Sequence, residues 1–250
     1  PYLGTYYFGS NTERPPFADQ PGLRRALSMA IDREIITTQV TGGGEIPAYG
    51  WVPPIPGYTP QRPQWAEWPM ERRLEEARRL FAEAGYGEDN PLTVELYYNT
   101  SDNHKRIALA VAAMWKQGLG VRTRLINQEF KVFLETRNRK EETQVFRAAW
   151  IGDYRDPYTF AEINGSTHGM NDTGYSNPRY DELLEASMAE TDPEQRRRQL
   201  EAAERILLED QPLIPIYFYV NRRVVKPWVR GWAPNLLDLH PTRHFYLEDR

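Results

Sequence analysis

The chain has 250 residues, of which 40% are hydrophobic, enough for one large domain or two modest ones with a sizeable core. Its 31 basic and 35 acidic residues give a formal net charge of −4 with both signs interspersed, which argues against nucleic acid and anionic membranes as partners. The absence of cysteine excludes disulfides and thiolate metal sites. No run approaches about 18 apolar residues, and the first residues lack the basic start and apolar run of a secretory signal.

The first part of the chain predicts two short helices and a long loop. Leu23, Leu27 and Ala30 recur at helical spacing, and Asp32 stands where the N-cap of a second helix is expected. Three glycines, 42–44, end that helix. Residues 46–69 carry seven prolines among Tyr and Trp, which predicts an irregular, ordered surface loop of the kind that often serves function.

Helices and strands alternate through the middle of the chain. An amphipathic helix is predicted over 70–84, and Gly85 ends it. Alternating segments then predict a strand, helix, strand, helix and strand over 92–98, 102–117, 121–127, 128–138 and 143–151. Strand–helix–strand units of this length join parallel strands, so the fold class is α/β.

The last third begins with helices and ends without them. Helical periodicity covers 178–209, with a fresh start at Asp192 and Pro193, and a buried strand is predicted over 212–221. After Asn221 the sequence changes to short strands and turns, which indicates a tail that belongs to a different packing unit.

Motifs of catalysis and cofactor binding are missing from the sequence. There is no nucleophile elbow, phosphate loop, dinucleotide fingerprint or His-Glu-x-x-His pair, and Pro241 prevents His240 and His244 from sharing a helical face. We therefore expect neither a cofactor nor a metal. Asp153 and Asp156 remain as a possible hydrolase pair, three residues apart in a predicted loop.

Long segments of the chain resemble the extracytoplasmic peptide-binding proteins of oligopeptide and dipeptide ABC importers, solute-binding family 5. The resemblance is carried by GTYYFGSN (4–11), RRALSMAIDREII (24–36), IPAYGWVPP (46–54), EEARRLFAEAGY (75–86), LYYNTSDNHK (96–105), LINQEFKVFLETR (125–137), RAAWIGDYRDP (147–157) and IPIYFYVNRRVVKPWV (214–229). Segments this long, in this order, are more specific than any short motif.

The resemblance implies a lobe of the type II periplasmic-binding-protein kind, with a mixed sheet flanked by helices. Residues 4–220 would form the second, ligand-binding lobe, and 221–250 would return to an amino-terminal lobe that is expected to precede Pro1. The implied function is periplasmic or lipid-anchored extracytoplasmic capture of peptides of about two to five residues, for delivery to ABC importer membrane subunits. The implied partners are thus peptides, the importer and the missing lobe, with no enzymatic activity.

Two elements of the family's site map onto the segment after Phe146. The strand RAAWI would present the main chain of Ala149 and Ile151 to an extended peptide by β-augmentation. Asp153 matches the aspartate that pairs with the peptide's α-ammonium, a charge-assisted contact. The alternative is a loop aspartate that caps a turn before Tyr154.

Two cations match positions that meet the peptide's carboxylate. Arg147 suits a carboxylate because its planar guanidinium donates two hydrogen bonds, and His104 corresponds to a second cation at a graded distance. The alternatives are a strand arginine satisfied by a neighbouring acid and a histidine at a helix start that faces water.

Further matches concern the pockets for ligand side chains. These positions are Asn99, Phe130, Arg137, Trp150 and Tyr7. Core packing is the alternative for Phe130 and Trp150. Phe130 replaces a tryptophan and Gly9 a glutamate of the family pattern, which bears on pocket size and on preference for basic ligand side chains.

Other ligands remain open within the same fold, namely a murein peptide, a metal chelate or an oligosaccharide. Asp153 discriminates among them, because a sugar receptor has no use for an ammonium clamp.

Overall fold

A computed structural model gives the fold and describes residues 1–248. The helices are α1 (Pro21–Met29), α2 (Arg33–Ile35), α3 (Met70–Glu83), α4 (Asp102–Leu119), α5 (Phe130–Arg139), α6 (Tyr158–Ala161), α7 (Pro178–Ala189) and α8 (Pro193–Asp210). The strands are β1 (Gly4–Ser10), β2 (Ile46–Pro47), β3 (Thr93–Asn99), β4 (Arg122–Gln128), β5 (Val145–Ile151), β6 (Leu213–Phe218), β7 (Val229–Arg230) and β8 (Tyr246–Leu247).

Six strands form one mixed sheet in the order β2-β6-β1-β5-β3-β4. β3 pairs in parallel with β4 through the predicted crossover helix α4, and also in parallel with β5. β1 lies in the middle of the sheet, antiparallel to β5 and to β6. The expected α/β class, with a mixed sheet flanked by helices, is confirmed.

The central strand β1 has no counterpart among the predicted elements. All seven of its residues are buried, so its sequence GTYYFGS lacks the alternation of polar and apolar residues that marks a half-exposed strand. Its strand propensity comes only from the Thr-Tyr-Tyr-Phe run.

Each face of the sheet carries its own core. One core joins Tyr6 and Phe8 of β1 to helices α1, α3 and α4. The other joins Tyr7 of β1 and Phe146 of β5 to α5, α7, α8 and the proline-rich loop. The sheet is therefore buried on both faces, as expected when helices cover a mixed sheet.

Several predicted boundaries are set by caps that the structure shows. Asp32 Oδ1 accepts a hydrogen bond from Ile35 N at 2.9 Å, and Asp192 Oδ1 accepts one from Glu194 N at 2.9 Å. The second predicted helix differs in kind, because after α2 it continues as a π-helical turn over Ile36–Thr41 before Gly42 ends it at a φ of 61°.

The tail after Asn221 leaves the main sheet. β7 and β8 pair only with each other, and Leu3 N donates to Leu236 O at 2.8 Å where the tail crosses the second core. Val224 is 100% exposed, and Leu239 and Leu247 are mostly exposed. The predicted division at residue 221 stays a prediction, and residues 249–250 of the predicted tail lie outside the described residues.

Candidate functional site

The edge of β5 facing β3 is only partly paired. β3 pairs with Val145 and Phe146 but no further along β5 among the described residues. Gly152 N donates to Leu3 O, so the alternating bonds to β1 involve residues 148, 150 and 152. The peptide groups of Ala149 and Ile151 therefore point away from β1, towards this open edge.

Asp153 follows directly after the open edge. Its backbone N donates to Thr159 Oγ1 at 3.3 Å, and its exposed carboxylate has no hydrogen-bond or ion partner within residues 1–248. Asp156 performs the capping instead, because its Oδ1 accepts from Tyr158 N at 2.8 Å and its carboxylate binds Arg196. The turn-capping alternative for Asp153 thus finds no support in the structure.

Arg147 lies at the other end of the open edge, against aromatic rings. Its guanidinium carbon is 4.8 Å from the Tyr6 ring centroid, Nη2 donates to Tyr219 OH at 3.3 Å and Nη1 to Asn99 Oδ1 at 3.4 Å. No carboxylate pairs with it in the described part of the chain, and its buried Nε has no hydrogen-bond partner there. The alternative of a strand arginine satisfied by a neighbouring acid is not what the structure shows.

His104 belongs to the same cluster. Its Nδ1 is 3.4 Å from Tyr6 OH, and the two ring centroids are 5.6 Å apart. Burial, with a smaller contribution from the positive charge of Arg147, lowers the pKa of His104 to about 4. At neutral pH this imidazole is neutral, so it offers hydrogen bonds rather than charge.

Three other predicted residues lie on the opposite face of the sheet. Tyr7 is buried against Trp51, with centroids 4.8 Å apart, and Trp150 Nε1 donates to Thr159 Oγ1 at 3.4 Å. Phe130 begins α5 and is 52% exposed, so core packing does not account for it.

On the same face of the sheet, the surroundings of Arg137 and Gly9 are filled by neighbouring side chains. Arg137 Nε lies 2.8 Å from Asp172 Oδ2, and both side chains are largely buried, so a ligand role for Arg137 requires that the pair open. A Cβ at Gly9 would overlap the Phe146 ring, which leaves no room for the glutamate of the family pattern.

The two faces together suit an extended ligand on the edge of β5. Side chains of such a ligand alternate between the faces, so one set would meet Arg147 and His104 and the other Trp150 and Phe130. On the protein side, Arg147 marks the positively charged end of this edge and Asp153 the negatively charged end.

Sequence reasoning missed the residues that support Arg147. Tyr217 stacks on Tyr6 at 4.8 Å and meets Tyr219 edge-on at 5.2 Å. Alternating tyrosines in the predicted last strand, IYFYVN, were a signal for an aromatic row on one face.

The described residues contain no group of three or more His, Asp or Glu side chains that could hold a metal ion. In the same part of the chain, every helix is too short or too polar to cross a membrane.

Comparison with known proteins gives consistent matches. Residues 1–172 match the family of bacterial extracellular solute-binding proteins, family 5 Middle. The chain is 43% identical over 249 residues to the periplasmic oligopeptide-binding protein OppA of Escherichia coli strain K12, covering 99% of this chain and 46% of that protein.

Solved structures agree with this match. The murein tripeptide binding protein MppA of Escherichia coli superposes with a TM-score of 0.91 and 42% identity, covering 100% of this chain and 49% of that one. The Haemophilus influenzae OppA complex with RPPGFSPFR superposes with a TM-score of 0.88 and 38% identity, covering 98% of this chain and 48% of that one. The chain thus spans about half the length of the relatives it matches.

Proposed function

This chain belongs to the bacterial extracellular solute-binding proteins of family 5, and from that membership we propose that it forms the ligand-gripping part of a receptor for short peptides. The receptor passes its cargo to the membrane subunits of an ABC importer. Capture takes place outside the cytoplasm, as in its periplasmic relatives.

One observation carries the proposal. The open edge of β5 has a carboxylate at one end, Asp153, and a guanidinium at the other, Arg147, and neither forms an ion pair in the described structure. All peptides share a backbone, an ammonium and a carboxylate, and these are the groups that Ala149 and Ile151, Asp153 and Arg147 would meet. The bound peptide runs antiparallel to β5, with its amino end at Asp153.

The spacing of the two charges limits the peptide length. Asp153 lies six residues after Arg147 and just beyond the end of β5, so their Cα atoms are at most about 20 Å apart. The Arg147 side chain shortens that span. Peptides of about two to five residues fit at roughly 3.3 Å per residue.

The described contacts favour capture over turnover. Asp156, the second member of the hydrolase pair considered above, is held by Arg196 at 2.8 Å and caps the turn before α6. It is therefore not free to act as an acid or base beside Asp153.

The remaining parts of the proposal concern the whole protein. Residues 4–220 act as one lobe, and the tail from 221 docks on a first lobe with its exposed apolar residues. Closure of the two lobes around the peptide completes the site.

Calorimetry on Asp153→Asn tests the ammonium clamp. The substitution keeps the side-chain shape but removes its charge, and hydrogen bonds to charged groups contribute about 1.5–3 kcal/mol. We expect affinity for a free tripeptide such as Ala-Ala-Ala to fall about 10- to 100-fold, while the N-acetylated tripeptide binds the wild type and the variant equally weakly.

Asp89→Asn is the matched control, because Asp89 is an exposed loop acid far along the chain from β5. It should leave both affinities unchanged. Equal binding of the free and acetylated tripeptides by the wild-type chain would defeat the clamp.

A murein peptide is a second candidate ligand, favoured by the 42% identity to MppA. Direct competition between a murein tripeptide and Ala-Ala-Ala distinguishes a dedicated receptor from a general one. A general receptor binds both within about tenfold, roughly 1.4 kcal/mol.

A further inference from the structure

A second concave site lies away from the β5 edge. It is a cleft of about 430 Å³ between α1, the turn before α3, α3 itself and α8. Met29, Leu208, Trp65 and Trp68 supply its apolar wall. None of its lining residues belongs to the candidate peptide site, and its volume is in the range of small-molecule pockets.

The wall includes a buried donor without an acceptor. Trp65 is only 5% exposed, and its indole N–H has no hydrogen-bond partner among residues 1–248. Buried donors are nearly always paired, so this N–H is an exception among the residues of the wall.

Three arginines line the cleft, and two of them, Arg25 and Arg205, bind only neutral oxygens. Arg25 Nη2 donates to the backbone oxygen of Glu209 at 2.8 Å, and Arg205 Nη1 donates to Gln61 Oε1 at 2.8 Å. Neither arginine has a carboxylate within ion-pair distance in the described structure. A guanidinium in this state retains donors for an anionic ligand.

Acidic residues of the cleft do not cancel this positive charge. Glu76 is bound by Arg79, with Oε1 and Nη2 2.6 Å apart, and Arg62 is paired with Glu67 at 3.0 Å. Arg79 also pairs with Glu83, so it offsets the charge of Glu76 only in part. The described lining residues include three arginines and two glutamates, so positive charge is in excess by one.

We infer that this cleft binds an amphipathic carboxylate, a small molecule with an aromatic or aliphatic body and one carboxylate group. The body packs on Trp65, Met29 and Leu208, and the carboxylate meets Arg25 and Arg205. The site is independent of peptide capture, since it shares no residue with the β5 edge.

NMR of the ¹⁵N-labelled chain tests this site directly. 4-Phenylbutyrate is the probe, 4-phenylbutanamide is its neutral counterpart, and Trp65→Phe assigns the Trp65 indole signal. We expect a saturable shift of that signal with 4-phenylbutyrate and at least about tenfold weaker binding of the amide. Arg25→Ala and Arg205→Ala should each weaken binding, whereas Arg198→Ala, an exposed arginine on the same helix α8, should not.

A further variant distinguishes binding of the probe in the cleft from binding at the peptide site. In Arg147→Gln the Trp65 shift persists if the cleft is a site of its own. The inference is overturned by the absence of a saturable shift, by equal binding of acid and amide, or by loss of the shift in Arg147→Gln.

Discussion

Arg147 keeps its charge in contact with aromatic rings instead of a carboxylate. Tyr6 lies under its guanidinium and Tyr219 accepts one hydrogen bond, so the group is positioned but not neutralised. The neighbouring His104 is neutral at pH 7 because its pKa is lowered to about 4. Arg147 is therefore the residue of this cluster whose charge we propose for a ligand carboxylate.

We predict that Arg147→Gln distinguishes ligands by their carboxyl terminus. Affinity for a free tripeptide should fall about 10- to 100-fold, since a charged hydrogen bond contributes about 1.5–3 kcal/mol, while affinity for the C-amidated tripeptide changes little. Calorimetry with the two ligands measures the difference. Arg124→Gln, an exposed strand arginine on β4, is the control. Equal losses for both ligands would mean that Arg147 has only a structural role.

The sequence suggested candidate residues for the site, but only the structure shows which of them are paired with other side chains. The free carboxylate of Asp153 and the paired one of Asp156 look alike in a loop sequence, and only the position of Arg196 separates them. Arg137 similarly matches a pocket position, yet its partner Asp172 is 35 residues away, since 172 − 137 = 35. Such long-range pairs leave no local pattern.

Helices and strands were predicted correctly where their periodic pattern lies within one segment of the sequence. The β3–α4–β4 unit was predicted from alternation and helical spacing, and Asp192 marked the start of α8 through its cap. β1 was not predicted, because complete burial removes the alternation of polar and apolar residues and because its partners β5 and β6 are distant in sequence. The open edge itself follows from β3, which pairs with β5 only at Val145 and Phe146.

A buried acid of α8, Glu204, binds the proline-rich loop. The Glu204 carboxylate is 3% exposed and accepts hydrogen bonds from Trp51 N at 2.8 Å, Val52 N at 2.9 Å and Tyr58 OH at 2.6 Å. No basic side chain is paired with it in the described structure. Burial raises the pKa of Glu204 from 4.5 to about 7, against the opposing effect of these donors.

This raised pKa predicts how stability depends on pH. Glu204 ionises more easily in the unfolded chain, so its contribution favours folding below about pH 4.5 and is lost as the pH rises to about 7. Glu204→Gln keeps an acceptor but cannot titrate. We expect the free energy of unfolding of the wild type relative to this variant to fall by an amount on the order of 3 kcal/mol between pH 4 and pH 8.

Urea unfolding at several pH values measures that difference, and other titrating groups cancel because both proteins contain them. Glu201→Gln provides a control on the same helix, since Glu201 also meets the loop by accepting from Thr59 N at 3.2 Å. A stability difference that stays constant with pH would show that Glu204 does not titrate in this range.

At the scale of the whole chain, the proposed ligand edge of β5 is uncovered. Ala149, Ile151 and Asp153 are intermediate or exposed, whereas small-molecule sites usually bury about 70–90% of the ligand. The tail adds a second uncovered surface through Leu239, Tyr246 and Leu247. Isolated exposed residues are ordinary, but apolar residues are concentrated in this one segment, and we propose that another part of the protein covers it.

We therefore predict that a first lobe raises peptide affinity strongly. Fusing the amino-terminal lobe of the Escherichia coli OppA relative ahead of Pro1 should tighten Ala-Ala-Ala binding at least about 100-fold over this chain alone, roughly 2.7 kcal/mol, because enclosure removes water from both charged ends. Calorimetry measures the gain, and hydrogen exchange should slow across the tail if it docks on that lobe. Asp153→Asn in the fused protein must remove most of the gain, since the added lobe acts through the same ammonium contact. A folded fusion that binds no more tightly than this chain would mean that the β5 edge is not the surface on which the two lobes close.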